Sequence, residues 1–522
     1  KDPRSRRCGG HPYFRVVGPV PHLFLTGATG LLGSYVLRDL LLRGVRLAVL
    51  VRSTKRLTAQ ERIEDLLYGW EKRLGHSLPR PIVLEGDLSR PDLGLDNQST
   101  EWVSRHCDRL LHNAASLSFY GTDKSDEPWR SNLGGTEHVL ALCRHTGIRQ
   151  FHHVSTAYVA GQRTGLCLET ELDVGQEPGN DYEASKCQSE ELVRSAEWID
   201  ESTVYRPGII IGDSKNGYTT TFHGFYVPLK VNSILMGHPE NFGMRNNAEN
   251  SQAVGDKLVS VLGMDGTEAK HLVPVDWVST AMCEILSDPQ LHGKTYHLTP
   301  HRPVAVSLMQ QVIQDVMLRN TSTKNPRPLF ASQQQWPKFV ESFVEQVSVY
   351  RAYWRDDPEF DQTNISQALP DLPCPEVDRE MLDRTCQYAI DANFGWPHPP
   401  VESPPLDVGA RLNRWLTSVE TEGETYLGLQ VNGRGGGEWE LTASDGHLVR
   451  AVPGISSRCQ TTLYLNSTTF GQLSAQELSV GQGIDSGRIV IQGNTVSHPY
   501  LTQFLQPLID AEHESTAAAS PG

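Results

Sequence analysis

The sequence predicts an α/β protein built on a doubly wound parallel sheet. A small lobe and a helical extension follow, and then a separate α+β domain. Three observations predict this. Apolar runs alternate with helix-period stretches from residue 22 to about residue 205, the pattern of strands joined by crossover helices. A glycine-rich turn, Gly27-Ala-Thr-Gly30-Leu-Leu-Gly33, separates the first run from the first helical stretch. Trp396-Pro-His-Pro-Pro-Val-Glu-Ser-Pro-Pro405 holds five prolines in ten residues, and beyond it hairpin signals replace the alternation.

The chain has 522 residues, enough for two to four domains. Hydrophobic residues make up 38%, sufficient for packed cores. Its 47 basic and 62 acidic residues leave a net charge of −15, which disfavours nucleic acid and anionic membrane surfaces as partners. Nine cysteines are scattered without a C-x-x-C pair, which points to reduced thiols and a cytoplasmic setting. Residues 1–20 are basic and rich in Pro and Gly, lack the apolar core of a secretory signal, and read as a disordered tail. No apolar run is long enough for a spanning helix.

Strands are expected at residues 22–26, 45–51, 81–85, 109–112, 150–154 and 202–206. Helices are expected at 31–43, 58–74, 130–146 and 181–197. In the first strand-to-helix turn, three glycines allow a sharp bend, a close backbone approach to a pyrophosphate, and tight helix–strand packing. The N–H groups at the helix start favour an anion there. A nucleotide site at the carboxyl ends of the strands follows. After the second strand, Arg52 stands where a ribose 2′-hydroxyl would meet Asp or Glu. With Lys55 and Arg56 nearby it suits a 2′-phosphate, so NADP(H) is expected over NAD. After the third strand, Asp87 is placed to accept from an adenine amino group. After the fourth, Asn113-Ala114-Ala115 lets a cofactor lie on the sheet edge. Asn132 opens the next helix, as a site residue or as a plain cap.

The chemistry follows the fifth strand, in Ser155-Thr156 and in Tyr182-Glu-Ala-Ser-Lys186. Four residues apart, Tyr182 and Lys186 share a helix face. A free tyrosine has a pKa of about 10 and a nearby ammonium favours its phenolate, so Lys186 is expected to lower the pKa of Tyr182. The tyrosine then exchanges a proton with a substrate oxygen while hydride moves at carbon. Thr156 or Ser155 holds that oxygen.

Together, Gly27–Gly33, Asn113–Ala115, Ser155–Thr156 and Tyr182–Lys186 resemble the extended short-chain dehydrogenase/reductase family, an NAD(P)-binding Rossmann fold. Gly86-Asp-Leu-Ser-Arg-Pro-Asp-Leu-Gly-Leu95, His153-Val-Ser-Thr-Ala-Tyr-Val159, Tyr205-Arg-Pro-Gly208 and Val273-Pro-Val-Asp-Trp277 resemble its thioester reductase and fatty acyl-CoA reductase ("male sterility") branch. The resemblance covers about residues 20–300. It implies a catalytic set of Thr156, Tyr182 and Lys186. It implies a cofactor site formed by Thr26, Gly27, Thr29, Gly30, Leu31, Leu32, Gly33, Arg52, Asp87, Leu88, Asn113, Ala114, Ala115, Ser155 and Pro207, shared with Tyr182 and Lys186. No metal site is implied.

Residues 21–300 are thus expected to hold the reductase domain with its substrate lobe. Within it, residues 222–236 line an acyl pocket or pack as core, residues 273–286 form a loop entering a helix, and 296–299 form a last strand. Residues 301–395 read as a helical extension, with helices at 306–318, 333–353 and 377–391. There Trp336, Phe339, Phe343, Tyr350 and Tyr353 form core or a lid. Residues 396–406 are an extended linker, which predicts few contacts across the boundary.

Beyond the linker a helix is expected at 408–419, strands at 426–431, 438–443, 448–452, 461–465 and 488–492, and helices at 467–475 and 499–510. Asn432-Gly433 and Asp445-Gly446 read as hairpin turns. Gly435-Gly-Gly-Glu-Trp439, residues 468–473 and Gly487-Arg-Ile-Val-Ile-Gln-Gly493 resemble a sterol carrier protein-like domain over residues 407–512. That resemblance implies a fold able to stand alone and an apolar ligand enclosed by helix 499–510 and a sheet face carrying Trp439, Leu441, Leu463, Leu465, Ile489 and Ile491. Residues 513–522 read as a tail.

The function implied is NADPH-dependent reduction of an acyl thioester, lipid-like, carried on coenzyme A or a separate carrier protein, to aldehyde or alcohol. The same trio serves epimerases, dehydratases and hydroxysteroid dehydrogenases, and a lipid-binding or transfer protein on a non-catalytic reductase fold is a reading of another class. Oligomeric state is not legible.

Overall fold

The computed structural model describes residues 21–236, 264–321, 348, 350–397, 401, 404, 406–416, 424–444 and 447–493. The expected tails, most of helix 333–353 with Trp336, Phe339 and Phe343, the Asp445-Gly446 turn and helix 499–510 lie outside these residues.

Seven parallel strands form the main sheet: β1 (His22–Thr26), β2 (Leu47–Val51), β3 (Ile82–Glu85), β4 (Cys107–His112), β5 (Gln150–Val154), β6 (Glu201–Pro207) and β7 (Thr295–Leu298). Their order is β7-β6-β5-β4-β1-β2-β3. Every neighbouring pair is parallel. The order reverses between β1 and β4, and such a switch point opens a crevice at the carboxyl ends. β1 and β2 are buried along their whole length, as strands covered on both faces must be. Because side chains alternate across a strand, Leu23 and Leu25 enter one apolar cluster and Phe24 the other. The first cluster is completed by α1 (Leu31–Leu42), α2 (Ala59–Leu74) and a helix over Val275–Ser287. The second is completed by α3 (Asn97–His106), α4 (Gly135–Thr146) and α5 (Asp181–Ser195).

The small lobe gathers behind the carboxyl edge. Strands Ile209–Ile211 and Leu272–Pro274 pair in parallel. They share a core with α6 (Tyr226–Met236), α7 (Val306–Thr321) and α8 (Arg379–Asp391). Expected as an extension after residue 300, α7 and α8 are part of the lobe. Val312, Val316, Met381 and Leu382 bury against Tyr226 and Leu229. Residues 359–360 then pair in parallel with Leu166–Cys167 as a separate two-stranded sheet.

The C-terminal domain has a five-stranded mixed sheet. The strands are β8 (Thr425–Asn432), β9 (Gly437–Ser444), β10 (His447–Pro453), β11 (Thr461–Asn466) and β12 (Val490–Gly493), in the order β10-β9-β8-β11-β12. β8 runs through Asn432, so the first hairpin turns on Gly433–Gly436, where Gly433 and Gly435 take positive φ. Leu441, Leu463, Leu465 and Ile489 bury with Val408, Leu412, Trp415, Phe470 and Leu473. Trp439 and Ile491 pack at the edge of that cluster.

This domain is docked, contrary to the expectation of few crossing contacts. The Glu438 carboxylate is buried and accepts from His22 Nε2 at 3.2 Å, from Ile455 N at 3.0 Å and from the Arg46 guanidinium. Trp102 Nε1 donates to the Pro453 carbonyl at 3.1 Å, and Gly433 N to the Leu78 carbonyl at 2.9 Å. Burial works against the Glu438 charge, yet His22 and Arg46 hold its pKa down at about 2. A proline-rich connection does not stop the two faces it joins from closing on each other. His22 opens β1, so the domain sits at the amino edge of the main sheet, opposite the crevice.

Candidate active site

At the carboxyl edge one cavity of about 1010 Å³ runs from the glycine turn to the small lobe. Its first wall is the β1–α1 turn. Gly30 caps α1 without any side-chain partner, leaving the N–H groups of the first turn free to face an anion. Gly27 has a φ of +76° and lies against the Ala114 backbone. A Cβ at Gly33 would collide with the Gly27 carbonyl and with Asn113 Nδ2. Asn113 Nδ2 donates to that carbonyl at 3.2 Å, and the Thr26 hydroxyl accepts from Ala114 N at 3.3 Å. Burial pulls His112 down to about 3. The neutral ring bridges the Thr26 and Thr136 hydroxyls and ties β1 to β4. This bare cradle of backbone donors fits the pyrophosphate of a dinucleotide.

At the ends of β2 and β3, Arg52 Nη1 lies 3.6 Å from Asp87 Oδ2 and its side chain is 70% exposed. Burial opposes the Asp87 charge, but Ser89 and Arg52 keep it below the ordinary carboxylate range. Arg62, on α2, was not singled out from the sequence. It donates to the Arg52 carbonyl at 2.6 Å and to Thr29 Oγ1 at 3.1 Å, joining both halves of the nucleotide end. Its signal was available: it lies in the first turn of α2, the helix that follows the basic loop at residues 52–56.

Tyr182 and Lys186 enter from the start of α5, where the Asn180 side chain caps the helix by accepting from Glu183 N at 3.0 Å. The Thr156 hydroxyl accepts from Tyr158 N at 3.3 Å and lies close enough to the Tyr182 phenol to pull its pKa down. Lys186 is 2% exposed and donates from Nζ to the Val154 carbonyl at 2.7 Å. Burial pulls its pKa down to about 8, against the Glu190 carboxylate. Enclosure pushes the Tyr182 phenol up to about 12, with Thr156 working the other way. The expected lowering of Tyr182 by Lys186 is therefore corrected for this state. The lysine's charge is engaged by the strand carbonyl, and desolvation outweighs it.

Thr156 and every residue expected at the cofactor site line this cavity: the glycine turn from Thr26 to Gly33, Arg52, Asp87, Leu88, Asn113, Ala114, Ala115, Ser155, Tyr182, Lys186 and Pro207. Ser155 is buried, and its hydroxyl has no hydrogen-bond partner among the described residues. Asn132 is not a helix cap. It lies in a π turn over Arg130–Gly134, where its side chain accepts from Ser116 N at 2.7 Å and donates to Ser185 Oγ at 3.0 Å.

A strap at residues 350–357 roofs the catalytic groups. Asp357 is its anchor, accepting from Tyr158 at 2.7 Å, Lys270 Nζ at 2.9 Å and His271 N at 2.8 Å. The Tyr350 ring packs on Phe119 at 5.0 Å, Tyr353 on Tyr158 at 5.2 Å, and Phe119 on Tyr182 at 6.1 Å. Of the aromatic series, Tyr350 and Tyr353 thus face the cavity. Beyond the strap the walls turn apolar, with Ile209, Phe225, Leu272, Met309 and Ile313. Phe225 and Pro228 of the 222–236 stretch line the cavity, whereas Leu229 packs as core. Among the described residues, no His, Cys, Asp and Glu cluster could hold a metal, and no helix is long and apolar enough to cross a membrane.

Residues 25–282 match the profile of the family described as male sterility protein. The chain is 28% identical over 296 residues to the nonribosomal peptide synthetase asaC of Aspergillus flavus, covering 54% of this chain and 26% of that protein. It is 30% identical over 306 residues to the L-2-aminoadipate reductase large subunit of Penicillium chrysogenum, covering 54% of this chain and 19% of that protein. The chain therefore spans only 26% and 19% of these two relatives. Among solved structures, the terminal R domain of the myxalamid PKS-NRPS pathway superposes with a TM-score of 0.55 at 25% identity, covering 74% of this chain and 94% of that one. A thiolation-reductase di-domain from an archaeal non-ribosomal peptide synthetase shares the fold, with a TM-score of 0.50 at 17% identity over 72% of this chain and 76% of that one.

Proposed function

We propose that the protein, an NAD(P)-dependent oxidoreductase whose residues 25–282 match the male sterility protein profile, reduces an acyl thioester. The observation that carries this reading is the continuity of the cavity. One space holds the anion cradle, the Thr156–Tyr182–Lys186 set and an apolar compartment in the small lobe. The R-domain and aminoadipate reductase relatives support the thioester. We read NADPH as the cofactor because Arg52 and Arg62 meet at the ribose end, where a 2′-phosphate gains charge-assisted hydrogen bonds.

When bound, the reduced nicotinamide supplies hydride to the thioester carbonyl carbon. Thr156 and Tyr182 hold the carbonyl oxygen between two hydroxyls as negative charge develops on it. With its pKa raised to about 12, Tyr182 is protonated at neutral pH and is a proton donor to that oxygen. Lys186 fixes the turn after β5 by donating to the Val154 carbonyl. Expulsion of the thiol leaves an aldehyde, and a second reduction gives an alcohol. The thioester arrives on coenzyme A or on a carrier protein. The C-terminal domain we read as holding an apolar ligand on its resemblance to a sterol carrier protein-like domain; Leu441, Leu463 and Leu465 themselves are buried in its core.

The test is cofactor oxidation with panels of acyl thioesters, sugar nucleotides and sterols, with product analysis. Oxidation with thioesters, yielding free thiol and aldehyde or alcohol in step, is expected. Turnover of sugar nucleotides or sterols alone refutes the reading. Saturable binding of a fluorescent fatty acyl probe to the full chain, lost on filling the C-terminal core with Leu463→Trp, checks the second site.

A further inference from the structure

Among the polar residues at the small-lobe end of the cavity, Gln314 is one that the chemistry above does not use. α7 turns residues 306, 309, 310, 313 and 314 to the cavity, the i, i+3, i+4, i+7, i+8 face of a helix. Val306, Met309 and Ile313 are the apolar members. Gln314 stands one residue after Ile313, and its amide nitrogen is buried without a hydrogen-bond partner among the described residues. Polar groups on the opposite side of the same helix are satisfied: Gln311 and Asp315 both accept from Arg379. A buried donor without an acceptor is a standing cost that an acceptor on a bound molecule removes. A wall meant only for hydrocarbon has no use for an amide there, since Leu or Met fills the same volume.

We propose that Gln314 is a specificity determinant that donates a hydrogen bond to an oxygen carried on the substrate's acyl chain, a carbonyl, amide or hydroxyl some way along it. The enzyme then selects oxygen-bearing acyl thioesters over plain saturated ones. This rests on the thioester reading and deepens it. The amide nitrogen is enclosed rather than at the mouth, which favours the acyl end of the substrate over the arm that carries the sulfur. A site that hydrogen-bonds a substrate group rejects the analogue lacking it, because its own polar atom is again left unpaired.

The test compares coenzyme A thioesters of equal chain length, one saturated and a series carrying a hydroxyl or amide at successive positions. In the wild type, kcat/KM is expected to peak at one position, about tenfold or more above the saturated chain. Gln314→Leu is expected to flatten that peak, mainly through KM, and to improve the saturated substrate. A flat positional profile in the wild type overturns the proposal without any variant. An equal loss on all thioesters in Gln314→Leu also overturns it, placing the bond on the thioester arm. If no thioester is reduced at all, the thioester reading itself has failed, which is a different result from a flat profile.

Discussion

Replacing Glu438 with Gln keeps the side chain's shape and removes the charge that joins the C-terminal domain to the main sheet. Its pKa falls from 4.5 in the unfolded chain to about 2 in the folded one. At about 1.4 kcal/mol per pKa unit, that is ~3 kcal/mol of stability at neutral pH. The figure matches the ~3–5 kcal/mol lost when one partner of a buried pair is removed and the other stays charged. Because the folded pKa is depressed, this stability is fully present above about pH 4.5 and drains away as pH falls toward 2. Denaturant unfolding of the full chain, followed across that pH range, measures it. Glu438→Gln should lose ~3 kcal/mol at neutral pH, and its stability should fall less than the wild type's between pH 4.5 and 2. Pairing it with Arg46→Met should cost less than the sum of the single changes, since the uncompensated cation goes too. Reductase turnover should survive at permissive temperature, because the pair lies at the far edge from Tyr182. A loss under ~0.5 kcal/mol for Glu438→Gln would show that the pair behaves like an exposed one and would refute the docking argument.

Tyr182→Phe should abolish turnover while cofactor affinity, read by fluorescence titration, stays near wild type; activity within about tenfold of wild type removes the phenol from the mechanism. Arg62→Ala should weaken NADPH binding by ~1.5–3 kcal/mol. Arg52→Ala, exposed and shared with Asp87, should act in the same direction by less, and neither should change NADH affinity; equal losses for both cofactors contradict the 2′-phosphate assignment. Gly33→Ala should abolish cofactor binding, since the new Cβ collides with the Gly27 carbonyl; retained titration with NADPH would show that the turn can yield.

Local pattern carried the main sheet well. Residues 22–26 and 150–154 were legible as strands to the residue, because each falls at the strand position of the alternation with helix-period stretches. α3 was missed: of Asn97–His106 only Val103 is buried, so no periodic stripe marks it. The π turn at Asn132 follows a plain helical pattern and departs from it through bonds to Ser116 and Ser185, which no spacing reveals. Tyr182 and Lys186 share a face as their spacing requires, yet the lysine's bond to Val154 is a tertiary fact. The strap's anchor joins Tyr158 to Asp357, 199 residues apart, and the docking pair joins His22 to Glu438, 416 apart. Such partners are set by the assembled fold, and neither residue's neighbours announce the other.

That last separation has a consequence for biosynthesis. At roughly 5–20 residues per second, some 20–80 s pass on the ribosome between the appearance of His22 and that of Glu438. Through that interval the edge built by His22, Arg46 and Trp102 has no cover from the C-terminal sheet. The parallel sheet can assemble meanwhile, since its strands end at residue 298. The nascent protein is then a complete reductase fold showing a cationic edge beside an indole ring. Closure of that edge waits for β9, and a chain stalled before β9 would present it to chaperones as an unfinished surface.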